Sequence, residues 1–139
     1  MYTFTQTGTQ ILGALNNGLN TEYGTDPYQW NGGDVFRFND RIKYSFKVGK
    51  PNNQHVWNLS ATKLNGTVVN LVTNGVPVSA NLSTVFTFAS TLPGGTAVPN
   101  VTAVDEIVSY IKSKGTIAPK IDSRTTQIGS EPTNVTDIY

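Results

Sequence analysis

Lys43, Ser45 and Lys47 occupy alternate positions of Arg41-Ile42-Lys43-Tyr44-Ser45-Phe46-Lys47-Val48-Gly49, and alternate residues of an extended chain share one face. Side chains on such a face repeat every ~6.8 Å, so the two ammonium groups sit about 13 Å apart with a hydroxyl between them. That spacing suits the phosphates of an extended polyanion. Asn58 and Ser60 share one face of His55 to Leu64, and Asn81 and Ser83 one face of Ser79 to Ser90. Amides and hydroxyls on a sheet offer donors and acceptors to bases and 2′-hydroxyls. Arg37, Arg41, Lys43, Lys47, Lys50 and Lys63 face only Asp34 and Asp40 in the same stretch, and Leu64 to Val104 carries no charge. The net charge of +1 therefore hides a cationic third of the chain, which points to a polyanion. The competing reading is that these lysines keep exposed strands soluble and block edge pairing.

Other reactive side chains are scarce. The single histidine, His55, stands at a strand start with no acid near it in sequence, and a solvent-facing or turn position is expected. Asp105-Glu106 begin a helix, where the helix dipole accounts for them. With no cysteine there is neither a disulfide nor a thiolate metal site. Gly94-Gly95 runs into Thr96-Ala97-Val98-Pro99 and lacks the Lys-Ser/Thr of a phosphate loop. Trp30 and Trp57 read as packing residues. We expect no catalytic residue, no metal, no cofactor and no small-molecule substrate: a binding or structural protein and not an enzyme.

A 139-residue chain fits one domain, residues 1–139, able to bury roughly 68% of its unfolded surface. At 37% hydrophobic and 14% charged it is too apolar for disorder. No run reaches the ~18 apolar residues of a membrane helix, so no membrane partner is expected, and Met1 to Gln6 lacks the pattern of a secretory signal.

The cationic strand places Ile42, Tyr44, Phe46 and Val48 opposite its lysines. Val35 to Asn39 reads as another strand, and in His55 to Leu64 the residues Trp57, Leu59 and Ala61 share the apolar face. Asn65-Gly66 is a tight turn. Thr67 to Val78, broken by Asn70, Asn74-Gly75 and Pro77, reads as a long uncharged loop or irregular hairpin, and Ser79 to Ser90 as a strand with Phe86 and Phe88 on one face. Tyr2 to Leu15 reads as one or two strands, with turns at Asn16-Asn17-Gly18 and Asn31-Gly32-Gly33. One helix is explicit. Val104, Ile107, Val108 and Ile111 fall at i, i+3, i+4 and i+7, with Thr102 as N-cap, Lys112 and Lys114 in the last turn and Gly115 as C-cap. A short helical piece around Lys120 to Gln127 is weaker.

The predicted class is α+β: an N-terminal hairpin and an antiparallel sheet of about five strands, then the C-terminal helix or helices. Five or six strands make a sheet about 25 Å wide, and one helix about 18 Å long covers less than half of it. The apolar face is larger than a monomer normally leaves wet. A second copy lending its helix through Val104, Ile107, Val108 and Ile111 would close the gap, the alternative being a two-sheet sandwich within one chain.

In order of parts the chain resembles the coat proteins of small single-stranded RNA bacteriophages, the leviviruses. The resemblance rests on the basic strand Lys43 to Val48, an Asn/Gln-bearing link, and the strand His55 to Leu64. The proline-containing loop, the Val85-Phe86-Thr87-Phe88 strand, the amphipathic helix and the terminal Ile138-Tyr139 complete it. It implies helices interlocked in a homodimer, an icosahedral shell, packaged viral RNA, and a virion assembled in the bacterial cytoplasm. Lys43, Ser45, Lys47, Asn58, Ser60, Asn81 and Ser83 would contact RNA, and Gly66, Asn74, Gly75 and Pro77 would belong to the inter-dimer loop. Outside that resemblance stand a carbohydrate-binding or adhesive β-sandwich module and a phage tail or accessory protein.

Overall fold

Strict alternation makes a strand of Ile42–Lys47: Ile42, Tyr44 and Phe46 are buried and Lys43 is exposed. The computed structural model describes residues 1–26, 28, 41–90, 94–118 and 125–129. The strand expected at Val35 to Asn39, the turn at Asn31-Gly32-Gly33, Trp30 and the terminal tyrosine lie outside these residues.

In chain order the elements are β1 (Tyr2–Thr7), α1 (Gly8–Tyr23), β2 (Ile42–Lys47), β3 (Val56–Thr62), β4 (Val68–Thr73) and β5 (Val76–Pro77). There follow α2 (Ser79–Leu82), β6 (Val85–Ser90), β7 (Thr96–Ala97), α3 (Ala103–Lys114) and β8 (Thr125–Ile128). Five strands form one sheet in the order β5-β4-β3-β2-β8, and three form a second in the order β6-β1-β7. Among the described residues all pairings are antiparallel except β2 with β8, which is parallel, Tyr44 standing opposite Thr125. The class is thus α+β with two sheets, not the single antiparallel sheet expected.

The main correction lies at the N-terminus. Only Tyr2–Thr7 is a strand, and the expected turn at Asn16-Asn17-Gly18 is mid-helix. Thr7 caps α1 reciprocally: its Oγ1 accepts from Gln10 N at 3.3 Å, and its own N–H donates to Gln10 Oε1 at 2.8 Å. Ile11, Leu15 and Leu19, spaced four apart, are all buried, which defines the face that α1 presents inward. The far end is fastened by a reciprocal amide pair, Asn20 Nδ2 to Asn53 Oδ1 at 2.9 Å and Asn53 N to Asn20 Oδ1 at 2.8 Å.

The core joins this helix to Ile42, Tyr44, Phe46, Val56, Leu59, Ala61, Leu71 and Val72 of the large sheet and to Phe86 and Phe88 of the small one. Phe4 and Phe88 meet with ring centroids 5.6 Å apart. Arg41 ties the sheets together, donating to Thr62 O (2.8 and 3.1 Å) and to Thr87 O (3.0 Å). The sheet is therefore roofed from within its own chain, by α1 and the small sheet. α1, which reads from sequence as strands, supplies the cover expected of a second copy's helix. At the closest approach the Cβ of any residue replacing Gly8 would stand 2.6 Å from Leu71 Cδ2.

One open alternative is decided and two further expectations change. The region Thr67 to Val78 is a hairpin, β4 and β5, whose turn holds Asn74 (φ +51) and Gly75 (φ +81), the doubly left-handed pair that a two-residue hairpin demands. Gly66 sits in a separate turn, with Gly66 N donating to Lys63 O at 3.0 Å. No single long loop joins Gly66 to Pro77. Ser79 to Ser90 is a strand only from Val85; Asn81 belongs to α2 and Ser83 caps it. Thr125–Ile128 is a strand and not a helical piece.

α3 spans the expected residues. Thr102 Oγ1 accepts from Asp105 N at 3.1 Å and donates to Asp105 Oδ2 at 2.6 Å, and Lys112 and Lys114 occupy the last turn. Yet it buries none of its residues. Among the described residues no helix is long and apolar enough to cross a membrane.

Candidate functional site

On the side of the large sheet away from α1, Lys43, Ser45, Asn58 and Ser60 come together in one patch. The β2–β3 register sets Lys43 opposite Ser60 and Ser45 opposite Asn58, and β4 brings Asn70 opposite Ser60. Register shifts between Ser45 and Phe46 and between Leu59 and Ser60 interrupt the ladder on both sides of β3. Such bulges bend and overtwist a sheet. A groove of about 320 Å³ opens there, lined also by Thr73 and Thr126. Among the described lining residues Lys43 alone is charged.

The groove's polar groups differ in availability. Asn58 is engaged on both sides: its Nδ2 donates to Ser45 Oγ at 3.1 Å and its Oδ1 accepts from Asn74 N at 3.0 Å. It holds the β4–β5 turn against β3 and thereby shapes one wall. Lys43, Asn70, Thr73 and Thr126 are exposed. The site offers one cation with surrounding hydroxyls and amides.

The bulge takes Trp57 off the expected apolar face of β3, which Leu59 and Ala61 keep. Phe46 pairs with Val56, so Val56, Leu59 and Ala61 are buried and Trp57 is displaced. Lys47 Nζ rests 3.4 Å from the Trp57 ring centroid and Lys50 Nζ 5.9 Å from it, an arrangement in which the indole face attracts the cations. Lys47 is thus occupied beside the groove.

Of the seven residues singled out from the sequence, Lys43, Ser45, Asn58 and Ser60 line the groove and Lys47 flanks it through Trp57. Asn81 reaches only its outer strand, where Nδ2 donates to Asn70 O at 2.8 Å, and Ser83 is an exposed helix cap. Sequence reasoning misses Asn70, Thr73 and Thr126. Asn70 lies in a segment that reads as a loop or irregular hairpin with no assigned faces, and Thr126 reaches the site only through the parallel β2–β8 pairing.

His55, expected at the surface, is fully buried. The β2–β3 connection closes over it, Lys47 N donating to His55 O at 2.9 Å. Nδ1 lies 3.2 Å from Lys47 O. A carbonyl only accepts, so Nδ1 is the donor; Nε2 is buried without a partner. Among the described residues no three of His, Cys, Asp and Glu gather as a metal-binding cluster.

No family model and no curated protein matches the chain. Solved structures share its fold, two Thermus thermophilus proteins among them. The sulfate thiohydrolase SoxB of Thermus thermophilus, solved in complex with glycerol, aligns at TM-score 0.62 and 20% identity over 94% of this chain and 22% of that one. A 5′-nucleotidase precursor, also from Thermus thermophilus, aligns at TM-score 0.59 and 16% identity over 92% of this chain and 25% of that one. The chain therefore spans a quarter or less of the length of either. These likenesses overturn the levivirus reading. A coat subunit shares its roof with a partner, whereas this fold carries α1 and a second sheet and matches portions of hydrolases. The capsid, virion and RNA-packaging assignments fall with it.

Proposed function

We propose that this chain is a ligand-binding module of the kind built into larger hydrolases, and that it holds a small phosphorylated ligand of nucleoside monophosphate type without cleaving it. The observation that carries this reading is the bulge-shaped groove headed by Lys43. An ammonium group at its rim supplies a charge-assisted contact to phosphate. Ser45, Ser60, Asn70 and Thr73 supply the neutral donors and acceptors that sugar hydroxyls need. The fold shared with part of a 5′-nucleotidase and part of a sulfate thiohydrolase, both named for anionic substrates, supports a ligand of this charge. None of the described lining residues is a carboxylate, histidine or cysteine, the side chains that most often bind metal or move protons in hydrolysis, which favours holding the ligand over cleaving it. Of the kinds of protein weighed from sequence, the carbohydrate-binding or adhesive module fits better than a shell subunit.

Titration calorimetry with AMP, adenosine and inorganic phosphate tests the proposal. AMP is expected to bind more tightly than adenosine, and Lys43→Ala to weaken AMP about tenfold or more, the worth of a hydrogen bond to a charged group. Phosphate release from AMP should stay at the uncatalysed level. Equal AMP affinity in the Lys43→Ala variant, or no binding at millimolar ligand, rejects the groove as the site.

A further inference from the structure

A second cavity lies on the other side of the large sheet, against α1, and has a volume of about 160 Å³. Leu12 of α1, Val56 of β3, Val72 of β4 and Pro77 of β5 form its apolar side, and Asn16, Asn53, Gln54 and Gly75 complete the lining. Asn16 stands one helical turn beyond Leu12 and is 7% exposed, while its Oδ1 has no hydrogen-bond partner. A buried acceptor left unsatisfied is costly. Asparagine is also a poor residue for a helix interior, so neither propensity nor packing accounts for it here. Its neighbour Asn20, by contrast, is fully paired with Asn53.

We infer that this cavity is a binding site for a small uncharged nitrogen heterocycle, seated among Leu12, Val56, Val72 and Pro77 and donating an N–H to Asn16 Oδ1. The inference stands apart from the groove at Lys43. Size sets the class, because a cavity of about 160 Å³ has room for one benzene-sized ring. Charge narrows it: no described lining residue is ionisable, so an ion would find no opposite charge there to offset its lost hydration. Asn16 narrows it again, since a pure hydrocarbon would leave Oδ1 unsatisfied whereas a ring N–H satisfies it. Uracil, cytosine and similar rings combine that donor with two flat apolar faces.

The test is an NMR titration of the full chain with uracil, using benzene as the hydrocarbon control and inorganic phosphate as the probe of the groove. Uracil is expected to shift the signals of Leu12, Asn16, Val56 and Val72 saturably, with a Kd of about millimolar, the range for so few heavy atoms. Phosphate should move Lys43 and Ser45 instead. Asn16→Leu should weaken uracil about tenfold and leave phosphate unchanged. Leu12→Phe, which fills the space while keeping Asn16, should also abolish the uracil response. Benzene binding as tightly as uracil, uracil binding unaffected by either variant, or no uracil response at about 10 mM overturns the inference. None of these outcomes bears on the groove, whose phosphate response is read separately.

Discussion

α1 and α3 are both capped, amphipathic helices, yet they hold opposite positions in the molecule. Ile11, Leu15 and Leu19 of α1 are wholly buried, while Val104, Ile107, Val108 and Ile111 of α3 range from 41% to 68% exposed. α3 obeys every local rule: a threonine cap, acids in the first turn, lysines in the last, glycine at the end. α1 has neither the acids nor the lysines and carries Asn16, Asn17 and Gly18 in its middle. The difference is physical. A helix that packs against a core is held by that packing and tolerates weak formers, whereas a solvated helix must be stabilised by its own sequence. Conformity to helix rules therefore tracks how far a helix supports itself, not how much it supports the fold.

Urea denaturation can sharpen this contrast. Leu15→Ala should cost the most, about 3–5 kcal/mol, because a buried leucine leaves a cavity. Gly8→Ala follows, at about 1–3 kcal/mol, since the added methyl meets Leu71 and must displace it. Thr7→Ala should cost about 1 kcal/mol through loss of the capping box. The equivalent Thr102→Ala should reduce helicity by circular dichroism with little change in the urea midpoint, because α3 shares no core residues. Ile107→Ala should change stability least, within about 0.5 kcal/mol. A loss at Ile107 as large as that at Leu15 would show the two helices to be equivalent and end the comparison.

Local patterns are legible in the sequence and long-range ones are not. The alternation of Arg41 to Gly49 yields β2 with its faces correctly assigned, and Asn65-Gly66 and Asn74-Gly75 mark real turns. Because a hairpin fixes its own cross-strand neighbours, Lys43, Ser45, Asn58 and Ser60 can be grouped without knowing the fold. Trp57 is misplaced because a bulge inserts a residue that strict alternation cannot anticipate. α1 has its signals, the Thr7-to-Gln10 box and the four-residue spacing of Ile11, Leu15 and Leu19, but its asparagines and glycine read as a turn. The pairing of β1 with β6 and β7, and of β2 with β8, leaves no local trace. Without those pairings the roof is missing, and a second molecule is needed to supply it.

The parallel pairing of β2 with β8 bears on how the chain is made. During synthesis on the ribosome, β2, β3 and β4 can zip together as soon as they emerge, but the outer flank of β2 stays bare until Thr125–Ile128 follow. Unpaired flanks of nascent sheets recruit other chains. A polypeptide released short of Thr125 should therefore be sticky even with every residue of the α1-roofed core present, since Thr125–Ile128 cover the flank of β2 and leave only a four-residue strand at that edge.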